Sequence, residues 1–433
     1  MENIKNFLED KFIPIAIKFG NQRHLRAIRD GIVSTIPLTV IGGISLLIAS
    51  PPVNPNLVKS KNIFINFLLE WYSWANINQE KIITVFNMTM AIMAVFVAIS
   101  VAYSLAKIYY SEYEEELEPL SSAIVSGVVF LMVAAPAKDS MIPMKFLDAK
   151  GLFTAMLIGL FTVEISRFLI KKNITIKMPK GVPPAVSASF SSLIPMIVNI
   201  IIFYSINLLL ISKAGTIAPE FIIKILTPAI EGADTIGFVI IMMLISHILW
   251  LFGVHGGATT SAIVSVVQLN NITANAAAKL ASKPMPYIYT NPLSVSVIVM
   301  GGAGATLGLT FLLLRSKSPH LRTVGKVGIL SGMFGINEPV LFGMPIILNP
   351  TLAVPFILTP IVNTIIGFYS VKAGLVGKAY IAVPWTTPPF INLPLATMDW
   401  RAFILVLVVF FIDMIIYYPF FKVYEKILIE KEN

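Results

Sequence analysis

Between Lys326 and Lys372 the chain carries a single charged side chain, Glu338, in the stretch Gly335-Ile336-Asn337-Glu338-Pro339. A lone carboxylate in such apolar surroundings costs roughly 2.5 to 3.5 kcal/mol on membrane-insertion scales, so it is rarely kept for packing alone. Proline fits the first turn of a helix, where its missing N–H is not needed, which places Glu338 at or next to a helix N-cap. The positive end of a helix stabilises a carboxylate there. Irregular backbone at membrane depth is tolerated only where it is buried in protein or lines a wet cavity. The stretch therefore predicts a polar substrate site inside a membrane protein. The plainer alternative is a scaffold in which Glu338 only bonds neighbouring backbone.

Composition supports the membrane half of that reading. Of 433 residues, 56% are hydrophobic and 13% charged, against roughly 25% charged in soluble domains. Mean hydropathy is +0.82. The fold class expected is an all-α polytopic membrane protein with about ten transmembrane helices, two re-entrant hairpins and amphipathic interfacial helices. The first thirty residues are polar and basic, so no cleavable signal peptide is expected. The net charge of +9 is read as basic cytoplasmic loops rather than as a nucleic-acid surface. Cysteine is absent, which excludes disulfides, thiolate metal sites and any cysteine nucleophile on this chain. The four histidines, His24, His247, His255 and His320, show no metal-ligand spacing. There is no P-loop, dinucleotide fingerprint or hydrolytic triad pattern, so neither metal nor cofactor nor ATP-driven pumping is expected.

Basic residues set the expected topology. Lys5, Lys11, Lys18, Arg23, Arg26 and Arg29 precede a first span at Gly31–Ala49, Lys171, Lys172, Lys177 and Lys180 follow a fourth at Gly151–Ile170, and Arg315, Lys317, Arg322 and Lys326 follow a seventh at Ser294–Leu314. By the positive-inside rule both termini are expected in the cytoplasm. Ile63–Trp74 reads as an interfacial helix. The acidic run Glu112, Glu114, Glu115, Glu116 and Glu118 reads as a solvated loop, and Glu164 with Arg167 as an ion pair on one helix face. Thr259–Leu269 and Ile272–Leu280 are each too short to span, and a re-entrant hairpin turning at Asn270-Asn271 is expected. Pro384-Trp385-Thr386-Thr387-Pro388-Pro389 is the second re-entrant candidate. A domain boundary is expected near Pro219–Gly232, dividing residues 1–212 from 213–433.

A second polar constellation lies at Gly253-Val254-His255-Gly256-Gly257. Flanking glycines free the backbone and let another group approach closely. A histidine at a span end often only satisfies the helix terminus, but the glycine frame and the empty charge background favour a ligand-contacting role. His247 lacks that frame and reads as a packing or hydrogen-bonding residue. Trp385 is either an interfacial belt residue or a flat surface for a sugar ring. Carboxylate, imidazole, amide and indole together suit a carbohydrate, whose hydroxyls take charge-assisted hydrogen bonds and whose apolar face stacks on an indole.

These residues make the chain recognisable. With Phe342-Gly343-Met344-Pro345, Lys177-Met178-Pro179, Val182-Pro183-Pro184 and Pro384-Trp385-Thr386 beside the two motifs, it resembles the enzyme IIC membrane component of the phosphoenolpyruvate-dependent sugar phosphotransferase system, in the lactose/cellobiose/N,N'-diacetylchitobiose family, over essentially its whole length. The resemblance implies a homodimer in a bacterial plasma membrane, with a five-span N-terminal scaffold (1–212) forming the interface and a C-terminal half (213–433) holding the sugar. It implies that His255 and Glu338 contact the 6-hydroxyl that becomes phosphorylated, with Asn337 and Trp385 beside them. It also implies a phosphocysteine donor on a separate IIB component, charged in turn through IIA, which agrees with the missing cysteine. This chain would take part in phosphotransferase chemistry without independent kinase activity.

The expected mechanism is translocation of a disaccharide coupled to phosphorylation, with phospho-IIB docking on basic loops around Arg26–Arg29 and Arg315–Lys326. Glu338 and His255 are the candidate catalytic residues. His255, Asn337, Glu338, Trp385, Asn87 and Lys138 are the candidate sugar contacts, the last pair for reading the groups that distinguish one disaccharide from another. The rival from another class is a proton-coupled symporter that releases unmodified sugar.

Overall fold

Lipid leaves a chain no water to bond its backbone, so helices are the expected solution for a sequence this apolar. The computed structural model describes residues 13–51, 53, 55, 63–115, 117–137, 139–179, 181–346 and 349–432, and among them the regular structure is helical, with no β-strands. The helices that frame the argument are α1 (Arg23–Ser34), α2 (Ile36–Ala49), α3 (Gln79–Asn87), α4 (Met93–Glu112), α5 (Pro119–Ala134), α6 (Leu152–Lys171), α7 (Leu193–Ala214), α8 (Ala218–Ala233), α9 (Ile236–Leu251), α10 (Gly256–Leu280), α11 (Leu307–Leu313), α12 (Pro319–Met333), α13 (Glu338–Gly343), α14 (Pro350–Lys372), α15 (Pro389–Thr397) and α16 (Arg401–Glu432).

Six helical stretches among the described residues are long and apolar enough to cross a bilayer: Arg23–Ala49, Gln79–Glu112, Ala149–Lys171, Ser189–Ala214, Thr351–Lys372 and Arg401–Glu430. A seventh is reached if α8 and α9 count as one broken span, and α5 is apolar but shorter. The chain is a multi-pass membrane protein.

The chain forms two compact units that interleave along the sequence. One comprises Asn21–Gly42 and Thr84–Glu231; the other comprises the described part of 1–20 with Gly43–Ile83 and 232–433. By backbone contacts 43–83 group with the C-terminal part, and the last crossover falls at Glu231.

In the first unit α4 is the hub, packed by α1, α5 and α6. Helices in lipid gain little from hydrophobic burial against each other and rely on close backbone approach at small residues. Gly31 shows the device: a Cβ there would lie 2.7 Å from Val101 Cγ2 and 2.8 Å from its nitrogen. Polar cross-links add to it, the Ser100 hydroxyl donating to Gly31 O at 2.9 Å and the Ser126 hydroxyl to Ala98 O at 2.9 Å.

One end of this unit corrects the solvated-loop expectation. Glu115 takes a two-pronged grip from Arg167 at 2.7 and 2.9 Å and a third contact from Lys171 at 2.8 Å. Glu112 takes two from Arg26, at 2.6 and 2.9 Å. Glu164 does pair with Arg167 at 3.3 Å, but it also accepts from His24 at 2.8 Å and from the Tyr109 hydroxyl. The cations stand on α1 and α6, far away in sequence, and they turn the acidic run into a clasp. Glu116 lies outside the described residues.

In the second unit, α10 runs unbroken through Asn270-Asn271, where a hairpin turn was expected. These amides face sideways rather than closing a turn. Asn271 Nδ2 donates to Tyr289 O at 2.8 Å and to Asp234 Oδ1 at 3.2 Å, while Asn275 Nδ2 donates to Tyr287 O and Ala379 O, both at 2.8 Å. Asp234 also accepts from the Ile288 and Tyr289 backbone N–H groups. The second expected arm, Ile272–Leu280, is thus the continuation of α10, and the irregular segment over 283–290 is tied to it by these amides and by Asp234. Ser294–Leu314, expected as one continuous span, is also broken: a π-helical turn covers Ser294–Ile298, α11 begins at Leu307, and the irregular stretch between contains Gly301, Gly302 and Gly304 at φ +78, +107 and +81.

Candidate functional site

The irregular stretch 299–306 is held from three sides. Asn337 Nδ2 donates to Ala303 O at 2.6 Å and to Thr306 Oγ1 at 2.7 Å. The Gly304 N–H donates to His247 Nε2 at 2.8 Å, and the Gly304 carbonyl accepts from the Tyr417 hydroxyl at 2.7 Å. His247 Nδ1, 2.7 Å from Met243 O, must then be the protonated nitrogen, which fixes the neutral tautomer. Only glycine fits at 302 and 304, because a Cβ at Gly302 would strike Asn337 Cγ and one at Gly304 would enter the Phe356 ring. His247 is the hydrogen-bonding residue that its sequence context suggested.

This scaffold seats the Glu338 stretch. Gly335 turns the chain at φ +78, Asn337 is the N-cap, and Glu338 is the first residue of α13 with Pro339 behind it. The Asn337 carbonyl accepts from the Val340 and Leu341 N–H groups at 2.9 and 3.0 Å. Val340 and Leu341 are buried in a core with Trp250, Phe356 and Tyr417. Glu338 itself is half-buried, and its carboxylate has no hydrogen bond or ion pair among the described residues. Every neighbour that fixes its backbone is satisfied, while the charged group is left free for something else.

Trp385 belongs to the same place. A methyl group at Gly335 would sit 3.6 Å from its Cε3, so the indole covers the backbone three residues before Glu338. Its own segment is tied by Asn392 Nδ2, which donates to Pro384 O at 2.9 Å. Trp385 is 44% exposed, enough to offer a face.

His255 is the N-cap of α10: its Nδ1 accepts from the Ala258 N–H at 3.0 Å. That bond leaves Nε2 as the protonated nitrogen of the neutral ring, a donor directed away from the helix. The ring lies 4.4 Å from that of Trp250, centroid to centroid. Trp250 shares the core of Val340 and Leu341, so one packed cluster supports both motifs. Gly256 permits the turn, since a side chain there would overlap Ser246 O.

The remaining candidates separate. Asn337 spends both amide hydrogens inside the protein, so its first task is positional. Asn87 ends α3 in the other compact unit. Lys138 lies outside the described residues. Two groups escaped sequence reasoning. Tyr417 clamps Gly304 with no local signal. Asp413 did leave one, as the sole charge between Arg401 and Lys422. It is fully buried next to Asn363, and neither side chain makes a well-formed hydrogen bond among the described residues.

A carboxylate without a partner among the described residues, an imidazole N–H and an exposed indole, carried by a multi-pass membrane protein, are the groups that a membrane protein handling a polar solute would present. Comparison with known proteins sharpens this. The family model "Phosphotransferase system, EIIC" matches residues 29–360. The chain is 33% identical to the lichenan permease IIC component of Bacillus subtilis (strain 168), covering 100% of this chain and 96% of that one. It is 32% identical to the oligo-beta-mannoside-specific EIIC component of the same organism, with the same coverage. The crystal structure of ChbC, the IIC component from the N,N'-diacetylchitobiose-specific phosphotransferase system, superposes with a TM-score of 0.88 at 33% identity, covering 98% of this chain and 99% of that one. The chain belongs to the phosphotransferase system EIIC family. It is a sugar permease of that system and works with IIA and IIB components.

Proposed function

We propose that this permease carries a disaccharide of the cellobiose or diacetylchitobiose type and presents its 6-hydroxyl for phosphorylation between Glu338 and His255. The observation that carries this reading is the Glu338 carboxylate, fixed at the first turn of α13 by satisfied neighbours yet itself without a partner among the described residues. The names of the relatives, given for lichenan, oligo-β-mannosides and N,N'-diacetylchitobiose, support an oligosaccharide substrate.

The chemistry needs little from this chain beyond placement. The 6-hydroxyl oxygen attacks phosphorus on the IIB phosphocysteine, the P–S bond breaks, and the thiolate leaves on IIB. Glu338 takes the hydroxyl proton. The His255 Nε2–H holds the sugar oxygen in line, Trp385 covers the ring's apolar face, and Asn337 fixes the Glu338 backbone. Positioning of this kind supplies most of the catalysis in phosphoryl transfer. Asn87 and Lys138 are further proposed sugar contacts.

The same reading includes a homodimer in a bacterial plasma membrane, both termini cytoplasmic, with about ten spans and a re-entrant segment around Pro384–Pro389. Residues 1–212 act as scaffold and 213–433 carry the sugar across. The test is uptake of labelled disaccharides into vesicles with and without phospho-IIB, followed by product analysis. The expected result is sugar 6-phosphate formed only with phospho-IIB. Accumulation of unmodified sugar that collapses with an uncoupler would instead establish a proton symporter.

A further inference from the structure

A groove of about 480 Å³ runs between α11 and α16, lined by Leu312, Phe411, Met414, Ile415, Tyr418 and Phe421, with Arg315 and Lys422 also on its wall. Its walls are apolar and open, Phe411, Ile415 and Tyr418 being 53%, 71% and 51% exposed. Lys422 stands twenty-one residues after Arg401 on one helix, about 31 Å at 1.5 Å per residue. That distance is the thickness of a bilayer's hydrocarbon core. The groove therefore lies along the last turns of the span, and its two cations lie at the level of the headgroups.

The cations are not equivalent. Lys422 pairs with Glu425 at 2.7 Å, and Glu425 in turn accepts from the Ser316 hydroxyl and the Lys317 N–H. Arg315 is exposed and has no carboxylate partner among the described residues; its guanidinium lies 5.0 Å from the Phe311 ring. An arginine without a counter-ion, at headgroup depth and above an apolar slot, is complementary to one kind of molecule: an acyl chain that ends in an anionic phosphate.

We propose that this groove binds an anionic glycerophospholipid of the surrounding bilayer, one acyl chain along Ile415 and Phe411 and the phosphate on Arg315. A guanidinium matches phosphate oxygens two at a time, and each cation near an anionic headgroup strengthens binding by about fivefold. Free phosphate would use Arg315 but none of the apolar wall. A zwitterionic lipid would use the wall without a net charge for Arg315 to balance.

The experiment uses the purified full-length protein in detergent, with phosphatidylglycerol and phosphatidylcholine of identical chains added in turn. Native mass spectrometry counts retained lipid, and thermal unfolding reports stabilisation. Phosphatidylglycerol is expected to be retained about fivefold better than phosphatidylcholine and to stabilise more, with inorganic phosphate ineffective. Arg315→Gln should weaken retention about fivefold, and Ile415→Trp should block the slot with Arg315 intact. Equal retention of the two lipids, stabilisation by inorganic phosphate alone, unchanged retention in both variants, or a crosslink at Ile415 to a second copy of the chain would each overturn the proposal.

Discussion

Asn337 is joined side chain to side chain to Thr306, Nδ2 lying 2.7 Å from Oγ1, and both residues are buried. The bond ties the turn before Glu338 to the glycine-rich stretch that precedes α11. Asn337→Ala would leave the Ala303 carbonyl unsatisfied in the interior and the Thr306 hydroxyl with only its own bond to Gly301 O, a cost of about 1–3 kcal/mol. Thermal unfolding in detergent should register that loss. Asn337→Asp, which removes the donor but keeps the shape, should lose at least as much. A variant with unchanged stability would show that the turn is held by other means.

His255 performs two separable tasks, and two substitutions pull them apart. Asparagine keeps an oxygen for the Ala258 N–H but removes the imidazole donor, whereas alanine removes both. His255→Asn should therefore unfold near the wild-type temperature while losing sugar phosphorylation. His255→Ala should also lose about 1 kcal/mol from the missing cap. Equal phosphorylation by the asparagine variant and the wild type would remove His255 from the chemistry.

The Glu115 clasp makes stability depend on pH in a predictable direction. Burial opposes ionisation there, but the hydrogen bonds from Arg167 and Lys171 outweigh it and hold the carboxyl below its ordinary value of 4.5. A depressed folded value means the contribution is complete above the unfolded pKa and vanishes as pH falls through the folded one. Melting temperature should thus drop below about pH 4. Glu115→Gln should flatten that part of the profile and cost about 1 kcal/mol at neutral pH, solvent screening included.

Asp413 offers the opposite kind of test. An ionisable group inside a span with no well-formed hydrogen bond among the described residues is a net burden, and its neighbour Asn363 is likewise left without one. Asp413→Asn should leave folding intact and raise stability by about 1–3 kcal/mol. A large loss of transport with unchanged stability would instead mark Asp413 as part of the working site.

Where charge was scarce, the sequence was legible. Glu338 stood out because nothing else charged surrounds it, and Pro339 located the start of α13 to within a residue. The His255 glycine frame also marked a helix boundary, and the structure shows that residue as the cap. Side chains that act at long range leave no such local mark. Asn270-Asn271 looks like a turn pair, but Asn271 and, one turn on, Asn275 spend their amides on the segment near Tyr289, which local periodicity does not record. The acidic run looked solvated because Arg26 and Arg167 are remote in sequence. Ser294–Leu314 was apolar enough to span; its glycines instead open the backbone at positive φ, which hydropathy does not weigh.

Gly304 has its N–H taken by His247 and its carbonyl by Tyr417, residues on α9 and α16 that share no sequence neighbourhood with it. A glycine-rich loop is commonly treated as a module to be swapped between relatives when specificity is to be changed. Here the transferable unit is larger. A chimera that imports 299–306 without His247, Asn337, Phe356 and Tyr417 would receive the letters of the loop but not its shape, and the Glu338 turn would be misplaced with it.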